Sequence, residues 1–300
     1  MESVISATER LAWFWAAHEA IREGGRRIRR QRPVVILDSG VGGLTVSRHL
    51  EQLLPQASVL YVADSDWFPY GDKSSAAIAR RLEVLLAGIV EHFDPLAIIV
   101  ACNTASTAMV EHGVESPGPA CFLVIPELEE AMRRSANKQI ALLATPGTLG
   151  NVAPKLEALA SHAVIWPIPS QRLVEMAEDR MAGVDIDMTG FVAGVGAHLT
   201  VEQRLAVDTV ILGCTHFPHL VDDLRDVFPS ARHWVDPALQ VARQVASFVR
   251  GKLRGAGPPI KVAAFTSSQG AVRYQGVFMG LGFGVAACER RVTTEQEALI

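Results

Sequence analysis

The sequence predicts an α/β protein with two similar domains, each built on a parallel sheet flanked by helices. Three observations predict this fold. Short continuous apolar runs rich in β-branched residues alternate with helical patterns, as in sheets covered on both faces. The length of 300 residues corresponds to about two domains. An apolar strand ending in a cysteine and polar residues occurs twice, at Leu96–Thr104 and Asp208–His216.

Composition narrows the class of protein. Hydrophobic residues make up 49% of the chain and charged residues 20%, which is typical of a globular fold. A net charge of −4 gives no whole-chain reason to expect a nucleic-acid partner. No apolar run approaches the roughly 20 residues of a membrane span, and the apolar Leu11–Trp15 stretch precedes the arginines, unlike a secretory signal. We therefore expect a cytoplasmic protein, without a membrane partner, whose four cysteines are free thiols.

Residues 1–32 form an N-terminal extension in this interpretation. Ser6–Glu9 is a capping box ahead of a helical pattern that reaches about Arg22, and Gly24-Gly25 interrupts it. A solvated extension is one interpretation. A docking or regulatory arm for an anionic effector or partner is the other, because the extension ends in a group of six arginines: 22, 26, 27, 29, 30 and 32.

From Pro33 onward the elements alternate. Amphipathic helices are predicted at Ser74–Phe93 and Pro237–Lys252, between and after the strands. The predicted strands are Val34–Asp38, Val59–Ala63, Leu96–Ala101, Gln139–Ala144, Thr209–Gly213 and Lys261–Thr266.

Two cysteines follow predicted strands in matching contexts. Ligands of open α/β sheets bind outside the carboxyl ends of the strands, where Cys102 and Cys214 are expected. Each cysteine also precedes a helix, whose N-terminal partial positive charge favours a thiolate. We therefore expect a pair of reactive thiols. Cys121 and Cys288 have apolar surroundings and are assigned to packing.

Other polar residues gather at the same predicted edge. Asp38 ends the first strand before a glycine-rich turn, whose N–H groups could approach a carboxylate-sized anion. Tyr70 and Gly71 lie in a turn before a helix, and His216 could hold a proton beside Cys214. Cys102, Cys214 and His216 would supply three ligands for zinc, but no close-spaced ligand pair is present and no metal is expected.

Four segments together resemble the glutamate racemase family. They are Asp38–Val46, Pro69–Ser74, Ala101–Ser106 and Leu212–Pro218, in the order and spacing of that family. The resemblance implies cofactor-independent interconversion of L- and D-glutamate by two cysteines, supplying D-glutamate for peptidoglycan. It also implies two pseudo-symmetric domains, 33–125 plus 237–300 and 126–236, with the active site in the cleft between them. Members of the family commonly form homodimers.

The resemblance also assigns roles to residues. Removing a proton from one face of Cα and returning one to the other requires two acid/base groups. The family pattern gives Asp38 as the assistant of Cys102 and His216 as that of Cys214. It places Glu175 near the second cysteine. Substrate contacts are implied for Asp38, Ser39, Tyr70, Gly71, Asn103, Thr104, Thr145, Thr148, Glu175, Thr215 and His216.

Three positions depart from the family pattern. Asn151 and Pro154 replace a usual serine and tyrosine, and Trp166 replaces a frequent cysteine. These changes could alter pocket shape or domain closure, so a related enzyme acting on another acidic substrate stays open. A racemase-like protein that binds a macromolecule through its arginines is the second alternative.

Overall fold

Two parallel sheets form the framework of the protein in a computed structural model, which describes residues 26–253 and 257–287. The first sheet has the strand order β10 (Gly284–Ala287), β9 (Lys261–Phe265), β2 (Val59–Ala63), β1 (Val34–Asp38), β3 (Ala97–Val100) and β4 (Cys121–Leu123). The second has the order β6 (Val164–Pro169), β5 (Gln139–Ala144), β7 (Thr209–Gly213) and β8 (His233–Val235). We call the body around the first sheet the first lobe and the body around the second sheet the second lobe. The predicted α/β class with two flanked parallel sheets is confirmed.

The first sheet takes strands from both ends of the described chain. The strands β1 and β2 pair in parallel from Val34 with Val59 to Asp38 with Ala63, and β3 lies on the other side of β1. The strands are β1 (Val34–Asp38), β2 (Val59–Ala63), β3 (Ala97–Val100), β4 (Cys121–Leu123), β9 (Lys261–Phe265) and β10 (Gly284–Ala287).

The second sheet is formed by the middle of the chain. Its central strands β5 and β7 pair in parallel, so that Ala144 lies opposite Gly213 at their carboxyl ends. The strands are β5 (Gln139–Ala144), β6 (Val164–Pro169), β7 (Thr209–Gly213) and β8 (His233–Val235).

Helices cover the faces of both sheets, and apolar clusters fill the layers between. The helices are α1 (Leu44–Leu53), α2 (Ser75–Phe93), α3 (Asn103–His112), α4 (Leu128–Arg134), α5 (Pro146–Leu159), α6 (Gln171–Met181), α7 (Thr189–Gly196), α8 (Val201–Ala206), α9 (Val221–Val227), α10 (Pro237–Val249) and α11 (Ser268–Gly280). Short 3₁₀ turns occupy Tyr70–Asp72 and Phe217–Leu220. Within the described ranges, no helix is long and apolar enough to cross a membrane.

The long apolar strands were predicted at or within one residue of their observed bounds, whereas β4, β6, β8 and β10 were not predicted. The strand β6 contains Pro167 and Pro169, which weaken a sequence-based strand assignment. It lies at the edge of the second sheet and pairs only with β5, so the missing N–H groups are tolerated there. The strands β4 and β8 have three residues each, too few for a periodic pattern.

The last arginines of the predicted extension contact the first lobe. Residues 26–30 are helical, and Ile28 is fully buried in the cluster behind the first sheet. Arg29 donates to the carbonyl oxygens of Glu91 and His92 at the end of α2, where a helix favours cations. Arg32 pairs with Asp94 at 3.0 Å. The predicted helix before Arg22 lies outside the described residues.

Candidate active site

The carboxyl ends of the two sheets bring the predicted cysteines to one cleft. Asp38 ends β1, and Cys102 follows β3 and directly precedes α3. Cys214 follows β7 in the second lobe, beside Thr145 at the end of the adjacent β5. Cys102 and Cys214 are both buried and lie close enough that charge on Cys214 raises the pKa of Cys102.

The sulfur of Cys102 lies in surroundings that favour the neutral thiol. Burial raises its pKa to about 12, and the charges of Asp38 and Cys214 act in the same direction. The Ala105 N–H in the first turn of α3 and the Ser39 hydroxyl, 3.7 Å from the sulfur, oppose this effect. The start of α3 thus lowers the pKa of Cys102 through the Ala105 N–H, but desolvation outweighs it.

Cys214 has a different partner. His216 Nδ1 lies 3.5 Å from Cys214 Sγ, and His216 Nε2 lies 2.6 Å from Glu178 Oε1. Burial alone would lower the pKa of His216, but the hydrogen bonds to Cys214 and Glu178 raise it well above its usual value. The favoured state of His216 is therefore an imidazolium between the Glu178 carboxylate and the Cys214 sulfur.

The carboxylate near the second cysteine is Glu178, and the structure places Glu175 elsewhere. Glu175 lies on the exposed side of α6 and pairs with Arg172 at 2.5 Å. Glu178, one helical turn later, is buried. Burial tends to raise the pKa of Glu178, but hydrogen bonds with His216, Tyr274 and the Val41 N–H hold it below its usual value. Both acids lie on α6, and the residue that contacts His216 is one helical turn after the one implied by the family pattern.

The glycine-rich turn after β1 binds carboxylates of the protein itself. The Gly40 N–H donates to Asp38 Oδ1 at 2.9 Å, and the Val41 N–H donates to Glu178 Oε1 at 3.1 Å. A methyl group on Gly40 would lie 2.4 Å from Glu178 Oε1. The N–H groups of this turn do approach an anion closely. The anion at Val41, however, is a side chain of the second lobe and not the bound ligand that the sequence predicts.

Asp38 also reaches across the cleft. Thr215 donates to Asp38 Oδ2 at 3.1 Å, so the acid that ends β1 contacts the residue after Cys214. Burial raises the pKa of Asp38, opposed by His216, the Gly40 N–H and Thr215. Asp38, Cys102, Cys214 and His216 thus lie in one continuous polar group.

Neutral hydrogen-bonding groups gather at another part of the cleft. The hydroxyls of Thr104, Thr145 and Thr148 lie 2.9 to 3.1 Å from one another, joining the two lobes. Asn103 is buried with no partner for either end of its amide. Such a group needs a partner when buried, which suits a bound substrate.

The structure adds Gln171, which the sequence patterns do not identify as a site residue. Both polar atoms of its side chain are shielded from solvent without partners, at the start of α6. A methyl group on Gly71 would lie 2.2 Å from Gln171 Oε1 and 3.1 Å from Thr145 Cβ, which places Gln171 beside predicted substrate contacts. Only its position after β6 could have identified it, and β6 itself was not predicted.

The Tyr70 hydroxyl is bonded to a buried acid of the first lobe. The hydroxyl donates to Asp64 Oδ2 at 2.6 Å, and burial raises the pKa of Tyr70 well above its usual value. Asp64, after β2, also accepts two hydrogen bonds from the buried guanidinium of Arg81, at 2.6 and 2.9 Å. This ion pair anchors the turn that carries Tyr70 and Gly71.

The three departures lie outside the thiol cluster. Asn151, with its amide oriented to satisfy both ends, accepts from Thr107 and donates to Glu111, both at 3.0 Å, across the lobes. Trp166 donates to Gln139 within the second sheet, and Pro154 lies inside α5. Of the three, Asn151 bears on lobe closure.

The remaining cysteines and the possible metal ligands complete the description of the site residues. Cys121 is half-buried in β4 and packs against the cluster behind the first sheet, as predicted, while Cys288 lies outside the described residues. Among the residues that the structure describes, no three His, Cys, Asp or Glu side chains are grouped to hold a metal ion.

Known proteins resemble this chain in sequence and in fold. A glutamate racemase of Brucella canis is 32% identical over 222 residues, 73% of this chain and 80% of that protein. The structure of Escherichia coli glutamate racemase, in complex with L-glutamate and the activator UDP-MurNAc-ala, superposes with a TM-score of 0.76. It is 32% identical, covering 85% of this chain and 97% of that one. The Thermus thermophilus glutamate racemase, in complex with beta-chloro-D-alanine, gives 0.66 at 29% identity, with coverage of 89% and 98%.

A family model also matches the chain. The model for Asp/Glu/hydantoin racemases matches residues 44–245, which include Cys102, Cys214 and Glu178. The matched region starts after Asp38 and covers more than half of the sequence. The chain therefore belongs to the Asp/Glu/hydantoin racemase family.

Proposed function

We propose that this protein is a glutamate racemase that moves the Cα proton with two thiols and without a cofactor. The observation that carries the proposal is that Cys102 and Cys214 come from different lobes and are buried in the same cleft. A carbon held between them would present one face to each sulfur. The curated relatives above 30% identity are glutamate racemases, which supports glutamate as the substrate.

A two-base mechanism requires that one sulfur starts as a thiol and the other as a thiolate. A neutral Cys102 thiol is the acid, and a Cys214 thiolate beside the His216 imidazolium is the base. In this direction Cys214 removes the Cα proton from one face, and Cys102 delivers its proton to the other. The sulfurs finish with exchanged protons, and the reverse reaction starts from that state.

The neutral donors of the cleft suit the carboxylates of glutamate. Asn103, the hydroxyls of Thr104, Thr145 and Thr148, and the Gln171 amide supply N–H and O–H groups in a buried site, where hydrogen bonds to anions are strong. Ser39 and Thr215 lie beside Cys102 and Asp38. A second carboxylate on the substrate would use donors that an amino acid with an apolar side chain leaves unpaired.

Deuterium incorporation tests the proposal directly. Incubation of the dialysed protein with L-glutamate in heavy water should give D-glutamate with deuterium at Cα, without added pyridoxal phosphate. Cys102→Ala and Cys214→Ala should each stop racemisation, while Cys121→Ala, on the edge strand β4, should keep it. Full racemisation by Cys214→Ala would refute the two-thiol mechanism. Preference for aspartate over glutamate would instead favour the other acidic substrate.

The wider roles are proposed on the same footing. We infer a cytoplasmic homodimer supplying D-glutamate for peptidoglycan, with the domain division 33–125 plus 237–300 and 126–236. An anionic effector at the N-terminal arginines is supported by the E. coli relative, whose structure contains an activator. Because Ile28 is buried and Arg29 and Arg32 contact α2 and Asp94, a truncation should remove residues 1–25 and leave this anchor. Unchanged rate and unchanged response to nucleotide-linked muropeptides would exclude a role for that segment.

A further inference from the structure

Two consecutive residues of α11 hold two consecutive residues of α6 across the lobes. The Tyr274 hydroxyl donates to Glu178 Oε2, and Arg273 pairs with Asp179 at 2.7 Å. The helix α11 follows β9 of the first sheet, whereas α6 follows β6 of the second. The Arg273–Asp179 pair is solvent-exposed, but the Tyr274–Glu178 bond is buried.

The Tyr274 bond completes the hydrogen bonding of the carboxylate that faces His216. Glu178 Oε1 accepts from the Val41 N–H and lies 2.6 Å from His216 Nε2, so Oε2 is left for Tyr274. Burial raises the pKa of Tyr274, so its hydroxyl stays a donor. Its ring stacks on Phe265 with centroids 6.4 Å apart, which fixes the direction of the hydroxyl.

We propose that Tyr274 is a positioning residue for the second acid/base group. By holding Glu178 against His216, it keeps the imidazolium beside Cys214 and so sets the strength of that sulfur as proton carrier. This inference rests on the proposed racemase function and adds a residue that the sequence did not suggest. Its hydroxyl acts through Glu178 and His216 and touches no reacting atom.

Tyr274 belongs to the first lobe, whereas the Glu178 carboxylate that it contacts belongs to the second. A buried carboxylate with a missing donor is costly, and its orientation is then less defined. Since Glu178 and His216 belong to the second lobe while Val41 and Tyr274 belong to the first, the full hydrogen-bond set of Glu178 exists only with the lobes together. The Cys214 side therefore depends on contacts from both lobes.

Tyr274→Phe tests the proposal because it removes one hydroxyl and keeps the stacked ring. We expect kcat/KM to fall about 10- to 100-fold, the range for a hydrogen bond to a charged group, with KM changed little. The value of kcat/KM must fall equally in both directions, because the interconversion of two enantiomers has an equilibrium constant of one. The direction-specific readout is the primary isotope effect on kcat/KM with L- and D-glutamate deuterated at Cα.

The isotope effects separate positioning from general damage. If Cys214 becomes a weaker proton carrier, its proton transfer becomes the slower step. The isotope effect on kcat/KM should then rise for the enantiomer that Cys214 deprotonates and fall for the other. Arg273→Gln, which removes the adjacent pair, is the matched control and should keep wild-type isotope effects. Thermal unfolding of both variants checks that they are folded.

The outcomes are distinct. Isotope effects equal to wild type in Tyr274→Phe, whatever its rate, would overturn the proposal, as would the same movement in Arg273→Gln. Failure of the wild-type protein to exchange the Cα proton of glutamate would instead refute the proposed function.

Discussion

Gly42 offers a test of whether the closed arrangement of the lobes is the reactive one. An alanine Cβ at this position would lie 2.5 Å from Thr215 Oγ1 and 2.6 Å from His216 Nδ1, whereas ordinary contact begins at 3.4 Å. Gly42 does not have a positive φ, so the backbone itself tolerates alanine. The substitution therefore acts by steric overlap with the two residues that follow Cys214.

The size of the effect follows from the overlap. Relief requires a displacement of about 0.9 Å, the difference between 3.4 and 2.5 Å, of Thr215, His216 or the lobe that carries them. A misplacement of about 1 Å in a catalytic group costs roughly 100-fold in rate. We expect Gly42→Ala to lower kcat/KM by about 100-fold, equivalent to about 2.7 kcal/mol of transition-state stabilisation.

The assay is loss of optical rotation from L-glutamate, with thermal unfolding measured in parallel. Gly150→Ala is the matched control, since its Cβ would meet no heavy atom within 4 Å on the exposed side of α5. That variant should keep full activity and gain up to about 1 kcal/mol in the free energy of unfolding. Activity of Gly42→Ala within threefold of wild type would refute the closed geometry as the reactive state.

Three further predictions concern single charged groups. Glu178→Gln should lower kcat/KM at least tenfold through loss of its charged bond to His216, whereas the exposed Glu175→Gln should stay within twofold; the reverse order in steady-state kinetics would reinstate Glu175. Asp64→Asn should lower the free energy of unfolding by about 3–5 kcal/mol in urea titrations, because it leaves the buried Arg81 without its carboxylate, and a loss below 1 kcal/mol would contradict that role. Burial, aided by the charges of His216 and Arg48, lowers the pKa of His219 to about 4. Because this pKa is depressed in the folded state, the free energy of unfolding is highest above the usual pKa of 6.5 and should decline by up to about 3 kcal/mol as the pH falls from 6.5 to 4. The variant His219→Gln should lack this decline.

The sequence predicts the parts of the site that depend on strand ends. Apolar strands of four or more residues without proline identify β1, β3 and β7, and the residues after them are the candidate acids, bases and thiols. Their convergence follows from a general property of parallel sheets, whose carboxyl ends share one edge. Asp38, Cys102 and Cys214 needed no other information.

The parts that sequence reasoning missed depend on contacts between the lobes. The choice between Glu175 and Glu178 is a choice between two turns of α6, and only packing of α6 against the glycine turn decides it. Gln171 and Tyr274 follow strands β6 and β9 but have no motif of their own. The pKa of Cys102 is set by burial and by Asp38 and Cys214, none of which a helix start reveals.

The two halves of the site are alike in topology and unlike in chemistry, and this difference has a kinetic consequence. Cys102 lies beside a buried carboxyl and prefers its proton, whereas Cys214 lies beside a cation held by Glu178. Because burial and the charge of Asp38 raise the pKa of Cys102, we expect the isomer protonated at Cys102 to be favoured in the free enzyme, although the two substrates are equal in free energy. The ratio of kcat/KM for the two directions must be one, but the individual kcat and KM values are not so constrained. On the two-thiol mechanism we expect the enantiomer deprotonated by Cys214 to bind the favoured isomer. Equal kcat and equal KM in both directions, measured on each pure enantiomer, would contradict this expectation.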